Sequence, residues 1–180
     1  MNGKDYGLLM ESHGANASAF AVVLQKLRGA FKVSVSGRGF NAHDLTDLEM
    51  ACTMAAYAGS EVAARAAETL DRLLKLRAPV DESRGPSGFI ECFQFTLRRE
   101  VRDVREIRVF RNADFAEIVF EDGFVRTFVN WRSPRSKPPL FRSEGVISAG
   151  LIAVLADNVV LEEDQGFAGD AIEADELSDD

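Results

Sequence analysis

The sequence predicts an α+β protein: N-terminal helices with one short strand, then a four-stranded antiparallel meander, a C-terminal helix and an acidic tail. Apolar residues recur every three or four positions in the first 77 residues, which is typical of amphipathic helices. Between residues 88 and 131 they alternate with polar residues, which is typical of strands with one buried face. We therefore expect one domain, residues 1–161, followed by a flexible tail at residues 162–180.

The expected domain has a helical half (1–77), a linker (78–88) and a strand-rich half (89–161). The linker contains two prolines and two glycines without any periodicity, and the pattern changes on either side of it.

Three helices and one strand are predicted in the helical half. Apolar spacing predicts a helix over Asn16–Arg28. The alternating segment Phe31–Ser36 predicts a short strand. Thr46 followed by Glu49 forms a capping-box pattern that starts a helix ending near Tyr57. This helix has no charge after Glu49, so we expect it to be buried in the core or against a partner protomer.

The third predicted helix begins at Ser60, which we expect to be its N-cap, and ends at Arg77. In the strand-rich half, alternation predicts that FIECFQFTL, residues 89–97, is the first strand of the meander. Asp122-Gly123 between two apolar runs predicts a hairpin with a type I′ turn. The apolar run Val146–Leu161 predicts the last helix.

The chain carries a formal net charge of -8, and this charge is distributed unevenly. Residues 96–142 contain 11 basic and 7 acidic side chains, whereas residues 143–180 contain 11 acidic and no basic ones. Overall acidity argues against a protein that simply coats nucleic acid, because that binding depends on neutralising phosphates. A local basic surface remains compatible with the composition.

The N-terminal residues lack the basic and apolar regions of a secretory signal, so we expect a soluble cytoplasmic protein. The apolar run at residues 146–161 is shorter than the roughly 20 residues that a membrane span needs, so no membrane partner is predicted. The two cysteines, Cys52 and Cys92, lack the spacing of a disulfide framework or metal site.

The segment NWRSPRSKPPLFR, residues 130–142, is the strongest candidate for a binding surface, because it combines exposed cations with aromatic rings. Such a combination can stack on bases, neutralise phosphates or dock on an acidic protein. The predicted binding residues are Arg126, Trp131, Arg132, Arg135, Lys137, Phe141 and Arg142. The nine acidic residues of the tail, Glu162–Asp180, are tethered nearby and are predicted to compete for this basic loop.

A weaker candidate is an anion site at Gly37, Arg38 and Gly39, which follow the predicted short strand and precede a helix. The segment lacks the full glycine pattern of a phosphate-binding loop, and a connecting turn explains it equally. Apart from Asp47, four residues after His43, neither histidine has a possible ligand three or four residues away, and no nucleophile motif is present. We therefore predict no metal site, no cofactor and no catalytic residue from the sequence.

These observations favour a small non-enzymatic protein that acts by protein contact, such as an inhibitor, an immunity-type protein or an assembly component. The expected partner is another protein or a second copy of the chain. One alternative is an accessory protein that binds single-stranded nucleic acid through the Trp131–Arg142 loop, masked by the tail. A second is a small enzyme whose site is assembled across the sheet. A fold class alone does not decide among them.

Overall fold

The computed structural model of the chain describes residues 3–30, 32–34, 44–81, 84–134 and 143–159. Within these ranges, six α-helices and four strands confirm the α+β class. The helices are α1 (Gly3–Ser12), α2 (Ala17–Gly29), α3 (Asp47–Gly59), α4 (Ala66–Leu73), α5 (Phe89–Leu97) and α6 (Ala149–Ala156). The strands are β1 (Val104–Phe110), β2 (Phe115–Phe120), β3 (Val125–Val129) and β4 (Glu144–Ser148).

The predicted capping box starts α3. The Glu49 backbone N–H donates to the Thr46 hydroxyl at 3.2 Å, and the Thr46 N–H donates to the Glu49 carboxylate at 3.1 Å. Nearly every residue of α3 is buried, because the helix packs against α2, α4, α5, β1 and β4. The chain itself therefore covers the apolar surface that the sequence also allowed to be a protomer interface.

The four strands form an antiparallel sheet in the order β3-β2-β1-β4. The first three correspond to three of the four strands of the predicted meander, and β4 pairs with the other side of β1. Side chains such as Ile107, Ile118 and Phe128 belong to the same buried cluster as apolar residues of all six helices. The main core therefore lies between the helices and one face of the sheet.

The hairpin between β2 and β3 is confirmed, but its turn differs from the predicted type I′. Gly123 has a φ of 84°, whereas Asp122 is not among the described residues with positive φ. The Gly123 N–H donates to the Phe120 carbonyl, and the Phe124 N–H donates to the Asp122 carboxylate at 2.9 Å. A type I′ turn needs positive φ at both central residues, whereas a single glycine with positive φ is typical of a longer hairpin loop.

The prediction that residues 89–97 form a strand is wrong, because this segment is α5. Its apolar residues fit both periods: Phe93, Phe95 and Leu97 alternate, whereas Phe89, Phe93 and Leu97 recur at helical spacing. Phe89 and Phe93 are completely buried, and Phe95 is half-buried. A helix allows the apolar residues on nearly all sides of this segment to be buried, which the periodicity alone does not decide. The fourth strand of the sheet is β4 instead.

The helix predicted from Ser60 begins later, at Ala66, after a 3-10 turn at Ala63–Arg65. Ser60 follows the end of α3, and its buried hydroxyl has no hydrogen-bond partner among the described residues. Val62 is 57% exposed, so it does not join the buried face.

Two further predictions need adjustment, and one helix was missed. The last helix is shorter than residues 146–161, because residues 146–148 belong to β4. Helix α1 was not predicted. In the predicted strand at residues 31–36, the described residues 32–34 are not in a strand, and the others lie outside the described residues, as does the acidic tail.

The predicted linker is packed against both halves. Gly88 of the linker forms a β-bridge with Arg77 of the helical half. The linker carbonyls of Gly85 and Pro79 accept hydrogen bonds from the Arg126 guanidinium of the strand-rich half at 2.7 and 3.2 Å. The proposed domain limits stay a prediction. In the part of the chain that the structure describes, none of the helices is both long and apolar enough to cross a membrane.

Gly145 is predicted to be required where β4 crosses the end of α3. A Cβ atom at this position would lie only 2.7 Å from the Cα atom of Ala58, a contact with backbone that cannot rotate away. Gly145→Ala should lower the free energy of unfolding by about 1–3 kcal/mol, measured by urea denaturation.

Gly150→Ala is the matched control for this substitution, because nothing lies within 4 Å of its Cβ position on α6. This change should be neutral or stabilising by up to about 1 kcal/mol. Equal stability of the two variants would contradict the packing of β4 on α3.

Candidate binding surface around Trp131

The described part of the predicted binding segment is a hydrogen-bonded turn after β3. The Ser133 N–H donates to the Asn130 carbonyl at 2.8 Å, and the Arg132 N–H donates to the Asn130 side-chain oxygen at 3.2 Å. This turn holds Trp131 with 73% of its surface exposed, and Arg132 is also exposed. An exposed indole on an ordered turn is the kind of side chain that anchors binding interfaces.

Two cations that the sequence reasoning did not select lie beside this turn. Arg77 pairs with Val129 through two backbone hydrogen bonds, with the Val129 N–H donating to the Arg77 carbonyl at 2.8 Å. Lys75 lines the same surface depression as Asn130 and Ser133. Lys75 and Arg77 are both exposed. We call Lys75, Arg77, Trp131 and Arg132 the Trp131 surface.

Acidic side chains beside the Trp131 surface are partly neutralised within the protein. Asp71 forms an ion pair with Lys32 at 2.6 Å, and the buried Asp114 lies 3.6 Å from the Arg72 guanidinium. Glu68 also lines the depression and is exposed. The exposed cations Lys75, Arg77 and Arg132 therefore lie in the depression or in the segments next to the turn, and the Arg77 guanidinium also donates to the Leu74 and Leu76 carbonyls at 2.7 and 2.8 Å.

Arg126, another predicted binding residue, is buried instead of extending this surface. Only 4% of it is exposed, and its guanidinium donates to the carbonyls of Gly85 at 2.7 Å and Pro79 at 3.2 Å. It also donates to the Arg84 carbonyl and stacks over the Phe128 ring at 5.3 Å. Its position on the helix-facing side of β3 makes it an anchor for the linker.

The other predicted site residues cannot be placed on this surface. Arg135, Lys137, Phe141 and Arg142 lie outside the described residues, as do Gly37, Arg38 and Gly39 of the anion-site hypothesis. The hypothesis that residues 162–180 mask the basic loop stays a prediction, because the tail and residues 135–142 of the loop lie outside the described residues. Among the residues that are described, no group of three or more His, Cys, Asp or Glu side chains could hold a metal ion.

Cys92 is buried beside Arg126. The Arg126 guanidinium lies 3.8 Å from the Cys92 sulfur. Burial raises the pKa of the Cys92 thiol to about 11, and the nearby positive charge offsets only part of this effect. The thiol is therefore protonated at neutral pH, which makes it a poor nucleophile.

Comparisons with protein-family models, curated proteins and solved structures found no match to this chain.

The two arginines Arg126 and Arg132 are predicted to respond differently to the same substitution. Arg126→Leu leaves the carbonyls around the linker without donors, so the free energy of unfolding should fall by about 1–3 kcal/mol. Arg132→Leu removes an exposed side chain and should change it by less than about 0.5 kcal/mol. Urea denaturation measures both. Equal losses of stability would contradict the assignment of Arg126 to the interior.

The raised pKa of Cys92 predicts a loss of stability in alkaline solution. The unfolded thiol ionises near pH 9 and the folded thiol near pH 11, so deprotonation stabilises the unfolded state first. The stability contribution is complete below about pH 9 and decreases by about 2–3 kcal/mol as the pH rises to 11. Urea unfolding at pH 7, 9 and 11 measures this decrease.

Cys92→Ala is the control, because it retains the other groups that titrate in the same range, including Tyr6, whose pKa burial also raises. The wild-type protein should lose more stability than this variant between pH 9 and 11. Parallel pH profiles for the two proteins would contradict the burial of the Cys92 thiol.

Proposed function

We propose that the protein is non-enzymatic and acts by docking a partner protein on the Trp131 surface, as an inhibitor, an immunity-type protein or an assembly component. The observation that carries this proposal is the 73% exposure of Trp131 on a turn held by two hydrogen bonds. Covering this indole with a partner would remove a large apolar area from water. Trp and Arg are also the side chains most enriched among residues that dominate binding energy.

The anchoring of the turn supports the same proposal. Backbone pairing between Arg77 and Val129 connects the segment after α4 to the end of β3, immediately before the turn. A turn fixed in this way loses little conformational freedom when a partner binds. The Trp131 surface is therefore suited to direct docking without prior folding.

The charges around Trp131 favour a partner with an acidic patch. Lys75, Arg77 and Arg132 are exposed in the turn or in the segment that pairs with the end of β3, and complementary charges accelerate association and disfavour incorrect partners. The net charge of -8 opposes a polymer with phosphates along its whole length. A protein with a local acidic patch around an apolar pocket would complement the cations near Trp131 without the repulsion that an extended polyanion would meet.

Single-stranded nucleic acid is the second candidate, because aromatic rings flanked by cations also stack on bases. Trp131 and Arg132 supply this combination in the described part of the chain. The two candidates differ in their dependence on salt. Binding that depends on phosphate contacts weakens steeply as salt rises, whereas docking of an indole in an apolar pocket is much less sensitive.

The proposed docking predicts that Trp131→Ala abolishes or greatly weakens retention of the partner while the fold is unchanged. Truncating such an anchor should weaken binding of the identified partner by about 30-fold or more, corresponding to about 2 kcal/mol. Affinity capture followed by titration of the purified partner measures the effect. The single tryptophan of the chain also reports binding directly through a change in its fluorescence.

Val62→Ala is the matched control for this experiment, because Val62 is an exposed apolar residue (57%) on a different part of the chain. A partner lost equally by both variants, or by neither, would contradict the proposal. Salt-sensitive binding of single-stranded oligonucleotides that requires Trp131 and Arg132 would favour the second candidate instead.

A further inference from the structure

A cleft of about 510 Å³ lies between the end of α5, the following segment and α6. Its apolar lining includes Val101, Val104, Ile152 and Ala153, and its rim carries charged side chains. This volume lies in the range of sites that hold small ligands or peptide side chains. The cleft shares no lining residue with the Trp131 surface, so it is independent of the proposed function.

Helix α6 supplies an incompletely covered apolar wall. Its sequence, AGLIAVLA, contains no polar side chain, yet of its residues that line the cleft Ala153 is exposed and Ala156 is only half-buried. A helix that is apolar on all sides is normally buried on all sides. We therefore expect an apolar group to cover the exposed part of α6.

The described chain ends beside this cleft. Asp157, immediately after α6, forms an ion pair with Arg99 on the rim, and the Tyr6 hydroxyl donates to the Asn158 carbonyl at 2.8 Å. These contacts connect the chain at residues 157–158 to both α1 and the cleft. The acidic segment 162–180 consequently starts only a few residues from it.

The composition of residues 162–180 matches the cleft. The segment contains the large apolar residues Phe167, Ile172 and Leu177 among nine acids, and the first two are closest in sequence to the described chain. The seven residues 160–166 can extend about 23–25 Å, twice the roughly 12 Å length of the eight-residue α6. Phe167 and Ile172 can therefore reach any part of the cleft from the end of the described chain.

The rim can accommodate the acids but does not select them strongly. Arg102 provides positive charge, as does Arg99, which already forms an ion pair with Asp157, whereas Asp103 and Glu121 provide negative charge. Burial of apolar side chains must therefore supply most of the attraction, at roughly 25 cal/mol per Å². The two arginines then orient the acidic residues around the apolar ones.

We infer that the cleft between α5 and α6 is a binding site for an acidic peptide with apolar anchors, and that its occupant is the chain's own segment 162–180. Phe167 and Ile172 enter the apolar cleft, and neighbouring carboxylates face Arg99 and Arg102. This binding site for the tail differs from the basic loop, which the charge distribution alone predicted as its contact.

Paramagnetic relaxation in the full chain tests this site. Both native cysteines are buried, with 6% of Cys52 and 0% of Cys92 exposed, so a nitroxide attached to Ser178→Cys labels the tail selectively. The amide signals of Val101 and Ala153 should lose most of their intensity, whereas that of Val62 should not. Unchanged signals, or losses confined to other surfaces, would overturn the inference.

Two variants separate docking in this cleft from general proximity. Phe167→Ser combined with Ile172→Ser should restore the signals without touching the described fold, and Gln165→Ser should leave the losses intact. Ala153→Glu should also restore the Val101 signal by blocking the cleft, with Ala21→Glu on an exposed position of α2 as its control. Losses that persist in the serine double variant or in Ala153→Glu would overturn the inference.

Mixing spin-labelled protein with unlabelled ¹⁵N protein distinguishes the chain's own segment from that of a second copy. The signals should then remain intact, and comparable losses in the mixture would overturn the intramolecular assignment. None of these outcomes depends on a partner at the Trp131 surface, so failure of this inference leaves the proposed function testable.

Discussion

The burial of nearly every residue of α3 is the constraint on which the rest of the structure depends. At its first turn, Asp47 is completely buried, accepts a hydrogen bond from Gln94 at 3.1 Å and forms an ion pair with Arg98. A buried carboxylate without such partners would be very costly, so α5 must approach with these two side chains facing α3. At the other end, the Ala58 carbonyl accepts from Arg111 at 3.0 Å beneath the glycine of β4. Helices and sheet are thus fixed to the same buried helix.

Both surfaces assigned a binding role lie at the edge of this framework. The Trp131 turn follows β3 where the linker pairs with that strand, and the cleft is formed where α5 ends and α6 packs on β1 and β4. Binding residues commonly lie on loops held by a rigid scaffold, because loop side chains are not needed to fill the core. Arg126 is buried and its guanidinium donates hydrogen bonds to the linker, whereas Arg132 on the turn is exposed and accessible to a partner.

Local sequence signals predicted the elements that depend on neighbouring residues. The Thr46–Glu49 capping box and the Asp122-Gly123 hairpin each arise within a few residues, and both were confirmed. Residues 89–97 were misassigned because their apolar side chains satisfy two periods, and only tertiary burial decides between them. The exposure of Arg126 was also misjudged, although its spacing of two from Phe128 places both on one strand face. Lys75 and Arg77 are more than 50 residues before Trp131 in the chain, and the cleft is lined by residues of three separate segments. Local sequence patterns could therefore not group them.

The central claim is that α3 is the most stable part of the molecule and organises the remaining elements. Native-state hydrogen exchange of the amides at residues 50–56 tests it most directly. These amides should exchange only through global unfolding, with a free energy equal to that from urea denaturation, whereas amides of α1 should exchange through smaller openings. Exchange of the α3 amides as fast as, or faster than, those of α1 would contradict the account.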